Sequence, residues 1–271
     1  MKVHSLHIYP VKGLAGLSVQ RALLAGPGFS DDRRWMLIDE RGRFVSQREY
    51  PELAQWEAAL PGPDHLLLRH RQQTKECLLR GVRAEQGPPL EVEVWDDRFQ
   101  ARLVETATTS LQMTLKLPVR LVYLAADSRR PVDPRYAKPG EMVSFADGYP
   151  YLITTTASLA ELSRRHGKAL SMRRFRPNIV LATQEAFAED EWQRISIGVG
   201  HEFRLTKPCA RCRVITIDPD TAVPDPMVMA SLAAFRLKDN KVLFGMNACW
   251  EGQGVGWLSV GDRVSVLAEI A

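Results

Sequence analysis

Apolar positions in the first 125 residues fall in short bursts, four to seven residues long, separated by turn-forming residues. Arg34-Trp-Met-Leu-Ile-Asp39 is apolar on successive positions, so it predicts a strand covered on both faces. Glu40-Arg-Gly42 then turns the chain into Arg43-Phe-Val-Ser46. Leu66–His70, Glu76–Arg80 and Leu90–Trp95 read as further strands. Asp96-Asp97 reads as a hairpin tip before Phe99–Leu103. Thr106–Lys116 has helical spacing at Leu111 and Leu115, and Pro118–Tyr123 returns to a strand pattern. Frequent short strands predict a barrel or a sandwich.

The pattern changes after residue 125. Residues 126–142 are polar and rich in proline, which predicts a long loop or linker and a domain boundary. The second half mixes periods. Thr156 can cap a helix through Ser163, with Leu159 and Leu162 inward and Gly167 ending it. Asn178–Leu181 is a strand. Asp225-Pro226 is an N-cap with proline at the first helical position, and Val228, Leu232 and Phe235 share one helix face. Lys241–Gly245 and Asp262–Leu267 close the set as strands. The expected class is mainly β with α (α+β), in two domains, 1–125 and 126–271.

Composition narrows the options. The 271 residues are 45% hydrophobic and 25% charged, ordinary for a soluble globular protein. A net charge of +4 without interleaved basic and aromatic residues does not point to nucleic acid. Arg129-Arg130 and Arg173-Arg174 read as solvated surface. The N-terminus lacks an apolar signal core, and no apolar run is long enough to span a bilayer. Four cysteines, two of them isolated (Cys77 and Cys249), make no disulfide framework, and a reducing, cytoplasmic setting is the simplest expectation.

The densest candidate chemistry is Lys207-Pro-Cys-Ala-Arg-Cys212-Arg213. Two thiols three positions apart are bracketed by three cations, and cations favour the thiolate that binds metals or attacks electrophiles. Val214–Ile217 alternate and read as a strand, followed by a turn at Asp218-Pro-Asp. Metal or redox chemistry and a pair of inert buried thiols both remain open. Zinc would need further ligands from His201 or Cys249. A thioredoxin-like role would need a helix after the first thiol, where a strand is expected.

Other motifs add polar groups. Tyr9-Pro-Val-Lys-Gly13 ends the first strand with a lysine in a turn that glycine permits. Asp31-Asp-Arg-Arg-Trp35 offers Arg33, which either meets an anion or pairs with Asp31, Asp32 or Asp39. In Phe175-Arg-Pro-Asn178, Pro177 stiffens the chain so that Arg176 and Asn178 face one side: an anion clamp beside an amide. Phe145-Ala-Asp-Gly-Tyr-Pro150 is a turn exposing amides at Gly148, and Asn247 sits in a late strand. Lys12, Arg33, Arg176 and Arg211 with Asn178 and Asn247 suit a phosphorylated heteroaromatic ligand. No Gly-x-Gly-x-x-Gly, Walker loop or Ser/His/Asp pattern is present.

These motifs, in this order, resemble the MOSC-domain proteins with an N-terminal β-barrel domain. That group includes the mitochondrial amidoxime-reducing component, bacterial reducers of 6-hydroxylaminopurine, and the C-terminal part of molybdenum cofactor sulfurase. The resemblance runs from about residue 3 to 268 and implies two β-barrel-type domains. It implies molybdenum cofactor (Mo-molybdopterin) held by the thiolate of Cys212, the metal ligand and catalytic residue. It implies cofactor contacts from Lys12, Gly13, Arg33, Gly148, Tyr149, Arg176, Asn178, Ala210 and Arg211. Asn247 stands where the amidoxime-reducing component has tyrosine. The implied activity is reduction of N-hydroxylated bases and amidoximes, with electrons from a separate ferredoxin- or flavoprotein-type donor. A carrier or sulfur-transfer role is the alternative, and a binding domain without catalysis a third. The mitochondrial members' membrane anchor, the iron–sulfur domain of some bacterial relatives and the sulfurase's pyridoxal-phosphate domain are not expected here. Pyridoxal phosphate is therefore only a weak family-level association.

Overall fold

The computed structural model describes residues 1–270. It is mainly β with three α-helices, the class expected from the sequence. The apolar bursts of the first half become strands Trp35–Ile38, His65–His70, Glu76–Arg80, Pro89–Val94, Asp97–Leu103 and Arg120–Tyr123. Helix α1 spans Thr108–Leu115 and buries Leu111 and Leu115, the two positions its spacing marked.

Two sheets matter for the site. One has five strands in the order Pro89–Val94, Asp97–Leu103, Arg120–Tyr123, Trp35–Ile38, Val11–Lys12. Its Trp35–Ile38 strand is apolar throughout because both faces are covered. Trp35 and Leu37 join a core with Trp56, Leu66 and Leu111, while Met36 and Ile38 join Val92, Phe99 and Phe145 on the other side. The second sheet has nine strands and runs Val264–Glu269, Trp192–Ile197, His201–Ala210, Lys241–Trp250, Tyr151–Thr155, Ile179–Ala182, Lys2–Ile8, Leu17–Val19, with Leu237–Lys238 paired to Lys241–Trp250. Its one parallel pair, Tyr151–Thr155 with Ile179–Ala182, is joined by helix α2 (Thr156–His166), as a parallel crossover requires.

The N-terminal segment belongs to both sheets. Lys2–Ile8 pairs with Ile179–Ala182, and Arg21–Ala25 pairs with Gly256–Ser259. Between these, Val11–Lys12 lies beside Trp35–Ile38 in the five-stranded sheet. The chain therefore passes between the two halves at Tyr9-Pro10, again at residues 30–34, and again at residues 124–150.

Several local readings change. Arg130 and Arg174, expected as solvated surface, are buried and paired with Asp97 and Asp218, because each also donates to backbone carbonyls of a folded loop. Val214–Ile217 is not a strand: Arg213–Thr216 is a 3₁₀ turn, with Ile215 buried against helix α3 (Pro226–Arg236) and α2. Its alternation fits a short 3₁₀ turn as well as a strand, and packing decides. Cys209 thus lies at the end of a strand, His201–Ala210, and Cys212 follows it at the start of the 3₁₀ turn, so the objection to a thioredoxin-like role on the ground of a following strand falls. Helix α2 is capped by Thr155, whose hydroxyl accepts from the Ser158 amide, one position before the expected Thr156. Arg43–Ser46 forms isolated bridges instead of a regular strand. The Asp225 cap and Gly167 terminus form as expected. No helix among the described residues is long and apolar enough to cross a membrane.

Candidate functional site

The three crossings and two strand ends meet at one cleft that opens to solvent. The cleft is lined by Lys12, Gly13, Arg33, Gly148, Tyr149, Arg176, Asn178, Arg211, Cys212 and Asn247. These are ten of the eleven residues the sequence marked. Ala210 is exposed and does not line the cleft. Cys209 does.

The first crossing places Lys12. Tyr9 is buried, its amide donates to Asp32 Oδ1 at 2.8 Å, and its hydroxyl donates to the Pro177 carbonyl at 3.0 Å. Gly13 then turns with φ +89°, where a Cβ would come within 3.1 Å of the Val45 carbonyl. Lys12 Nζ donates to Asp147 Oδ1 at 2.6 Å and lies 4.9 Å from the Phe44 ring centroid. Burial pulls the Lys12 pKa down to about 8, against the pull of Asp147. The surrounding protein works against ionising Asp147, but Lys12, the Trp95 indole and Arg33 outweigh it and hold its carboxyl well below the usual range.

The second crossing places Arg33, and the sequence reading needs correction. Arg33 precedes the strand, in a turn with φ +52°, so strand alternation does not set its direction. Its backbone is held on both sides: its amide donates to the Tyr9 carbonyl and its carbonyl accepts from Phe145. The guanidinium donates to buried Asp32 Oδ2 at 2.6 Å, to Asn178 Oδ1 at 3.2 Å and to the Arg176 carbonyl at 3.2 Å. Burial works against its charge, and Asp32 more than compensates, so its pKa rises. The pairing with Asp32 and the place in the cleft hold together.

Arg176 also has a left-handed backbone, φ +55°. It donates to the Leu14 carbonyl at 2.7 Å. The Arg33 and Arg176 guanidiniums lie 4.4 and 4.5 Å from the centroid of the same ring, Tyr9. Burial, then the charge of Arg33, brings the Arg176 pKa down to about 10. Three of the four hydrogen-bonding positions of the Asn178 amide are engaged: Oδ1 accepts from Arg33 and the Leu152 amide, and Nδ2 donates to the His7 carbonyl. Its side chain fixes Arg33 and the strand start.

The strand His201–Ala210 delivers the thiols. Cys209 is half-buried and accepts from Arg211 Nη1 at 2.9 Å, and Arg211 Nη2 donates to the Phe175 carbonyl at 2.8 Å. Cys212 is exposed at the cap of the 3₁₀ turn. Asn247 Nδ2 donates to the Lys207 carbonyl at 3.3 Å. The remaining thiols lie apart: Cys249 is buried and its pKa is pushed up to about 12 by burial.

Sequence reasoning missed Asp147's pairing with Lys12, and missed Phe44, Gln47, Arg48 and Trp95 entirely. Gln47 Nε2 donates to the Gly13 carbonyl at 2.7 Å. The lining carries five cations (Lys12, Arg33, Arg48, Arg176, Arg211) and one carboxylate, Asp147. Such a cleft focuses positive potential and favours an anionic ligand. Two lining residues also present buried polar atoms without a partner among the described residues, Tyr149 Oη and Arg211 Nε. Unpaired buried donors are costly and mark places where a ligand or water belongs.

A family model described as the MOSC N-terminal beta barrel domain matches residues 1–116, and one described as the MOSC domain matches residues 140–265. Mitochondrial amidoxime-reducing component 1 of Mus musculus is 31% identical over 284 residues, covering 98% of this chain and 82% of the relative. The Homo sapiens protein of the same name is 31% identical, covering 98% and 83%. Molybdenum cofactor sulfurase of Homo sapiens is 29% identical over 97% of this chain, which spans 32% of that relative.

Proposed function

The chain belongs to the MOSC-domain proteins that carry an N-terminal MOSC barrel domain, and on that premise we propose that it holds molybdenum cofactor in the cleft and reduces N-hydroxylated compounds. The observation that carries the reading is one exposed thiol, Cys212, in a cleft walled by buried and half-buried cations. The residues present fit the group. Among the described residues no cluster of three or more His, Cys, Asp or Glu side chains could hold a metal ion. A metal at Cys212 must therefore bring most of its ligands, as a dithiolene-bound metal does, and a thiolate is the soft donor such a metal accepts. The unpartnered Arg211 Nε and Tyr149 Oη supply donors for the pterin and its phosphate. Lys12, Arg33 and Arg176 supply fixed charge.

When bound, the cofactor supplies two-electron chemistry at an N–O bond, giving the amine or amidine and water once two protons are taken up. The chain's part is binding, orientation and exclusion of water. Arg33 and Arg176 are locked by Asp32, Asn178 and the Leu14 carbonyl, so they need no reorganisation to meet an anion. Lys12 Nζ keeps its proton at neutral pH and shares it with Asp147. Leu152, Phe175 and Val214 supply the apolar part of the wall. A separate electron-transfer protein provides the electrons.

The second thiol favours a second reading, a cofactor carrier or sulfur-transfer module, in which Cys209 beside Arg211 holds sulfur for transfer. One experiment separates them. Protein purified from a cofactor-competent host is assayed for molybdenum and for amidoxime reduction with reduced viologen. Molybdenum-loaded protein that turns over benzamidoxime supports the reductase. Loaded protein inert toward amidoximes and 6-hydroxylaminopurine sinks it and leaves the carrier. Protein without molybdenum sinks both.

A further inference from the structure

Trp95 occupies a position that local physics disfavours. It sits at the tip of the hairpin Pro89–Val94/Asp97–Leu103 with φ +57°, a conformation that hairpin turns normally give to glycine or asparagine. The residue is 40% exposed, so core packing does not explain it. Left-handed backbone at a bulky residue persists where its surroundings hold it, and such residues gather at functional sites. The two other non-glycine residues with left-handed backbone on the cleft lining are Arg33 and Arg176.

What holds Trp95 is one contact from the second half of the chain, Asp147, and two neighbours from its own half, Phe44 and Arg48. Its Nε1 donates to Asp147 Oδ1 at 3.1 Å, the oxygen that also accepts from Lys12. Phe44 packs on it edge-wise, with ring centroids 5.4 Å apart. The Arg48 guanidinium lies 4.2 Å from the Trp95 ring centroid. Arg48 Nε donates weakly to Ser46 Oγ at 3.4 Å, and among the described residues its Nη groups have no hydrogen-bond partner. The Arg48 carbonyl accepts from Arg213 Nη2, directly after Cys212. An indole and a guanidinium with free donors are thus fixed on the same cleft as the exposed thiol.

We infer that Trp95 and Arg48 form a stacking platform that selects flat aromatic substrates, N-hydroxylated aryl amidines and heteroaryl amines, over alkyl ones. The inference rests on the reductase reading above. The indole offers a π-face to an aromatic ring, a contact indifferent to ring type. The free Arg48 donors meet the ring nitrogens or the N-hydroxyl oxygen.

The test compares kcat/KM for benzamidoxime and acetamidoxime in the cofactor-loaded protein. Trp95→Ala and Trp95→Gly lower the benzamidoxime-to-acetamidoxime ratio about 10-fold, through KM, the size expected for a lost ring stack. Trp95→Phe keeps most of the ratio. Glycine suits φ +57°, so Trp95→Gly tests recognition without backbone strain. A Trp95→Gly protein with the wild-type melting temperature and the wild-type ratio overturns the platform. If the wild type reduces neither compound, the reductase reading fails on its own. Calorimetric binding then decides the platform: benzamidoxime affinity about 10-fold weaker in Trp95→Gly supports it, and equal or absent affinity in both proteins overturns it.

Discussion

The back wall and the mouth of the cleft are built on opposite principles. On the back wall, Lys12, Arg33 and Arg176 are well covered, and each already has protein partners: Asp147, Asp32 with Asn178, and the Leu14 carbonyl. At the mouth, Cys212 is exposed, Arg48 has unpaired donors, and Trp95 is partly open. Folding completes the wall. A ligand would complete the mouth. Substitutions in the wall should therefore reduce stability and ligand retention together, whereas substitutions at the mouth should change function and leave folding alone.

The largest effect expected is at the mouth. Cys212→Ser should abolish reduction of an amidoxime, because oxygen replaces the soft donor, with no loss of melting temperature for an exposed side chain. Cys209→Ser should leave measurable activity, since that thiol is tied to Arg211. Activity of Cys212→Ser equal to wild type would end the assignment. A large fall in its melting temperature would break the contrast between wall and mouth.

The wall's counterpart is Asp32, which is fully buried and accepts from both the Tyr9 amide and Arg33. Removing one partner of a buried pair leaves a charge without compensation, which costs about 3–5 kcal/mol. Asp32→Ala should lose about that much in urea unfolding. A loss below about 1 kcal/mol, the range of an exposed pair, would mean that the wall is not prebuilt.

The sequence carried much of this site because its parts are short local motifs: a lysine before a glycine turn, an arginine two residues before an asparagine, two thiols three apart. Chemistry and backbone permission are written side by side in each. What it did not carry is long-range pairing. Nothing near Trp95 in the sequence says that its indole meets Asp147, 52 residues on. The segment before Arg48, Arg43–Ser46, read as a plain strand. Asn178 read only as a ligand contact, yet its side chain also bonds Arg33, Leu152 and His7, groups that sheet pairing and a chain crossing bring to it. The strand reading of residues 214–217 failed for the same reason: which face Ile215 buries depends on helix α3, not on its neighbours.

Within the wall, Arg176 should matter most for retention of a phosphorylated ligand, because it has one backbone partner and no carboxylate. Charge-assisted hydrogen bonds contribute about 1.5–3 kcal/mol, so Arg176→Ala should weaken retention about 10- to 100-fold. Molybdopterin remaining after gel filtration measures it. Arg33→Ala should weaken retention too, and also destabilise the fold by orphaning Asp32. Full retention by both variants would put the anion clamp elsewhere.

The mildest expected effect is a pH dependence, and its two signs differ. Lys12 has a folded-state pKa of about 8, against an ordinary value of 10.5, because burial disfavours its charge. Between these values the unfolded chain holds a proton that the folded chain has lost. Stability from this group therefore rises with pH across that window and is flat below it, where both states are protonated. A bound phosphate needs the charged form, so ligand retention should fall as pH rises through about 8. Phosphate itself is already doubly ionised above its second pKa of about 6, so it adds little to the change from pH 7 to 9. Asp147 is ionised throughout. Retention of molybdopterin measured at pH 7 and pH 9 should drop in the wild type and stay level in Lys12→Met, whose retention at pH 7 already matches the wild type at pH 9. A wild-type protein with equal retention at both values would remove Lys12 from the clamp and leave it as the structural partner of Asp147.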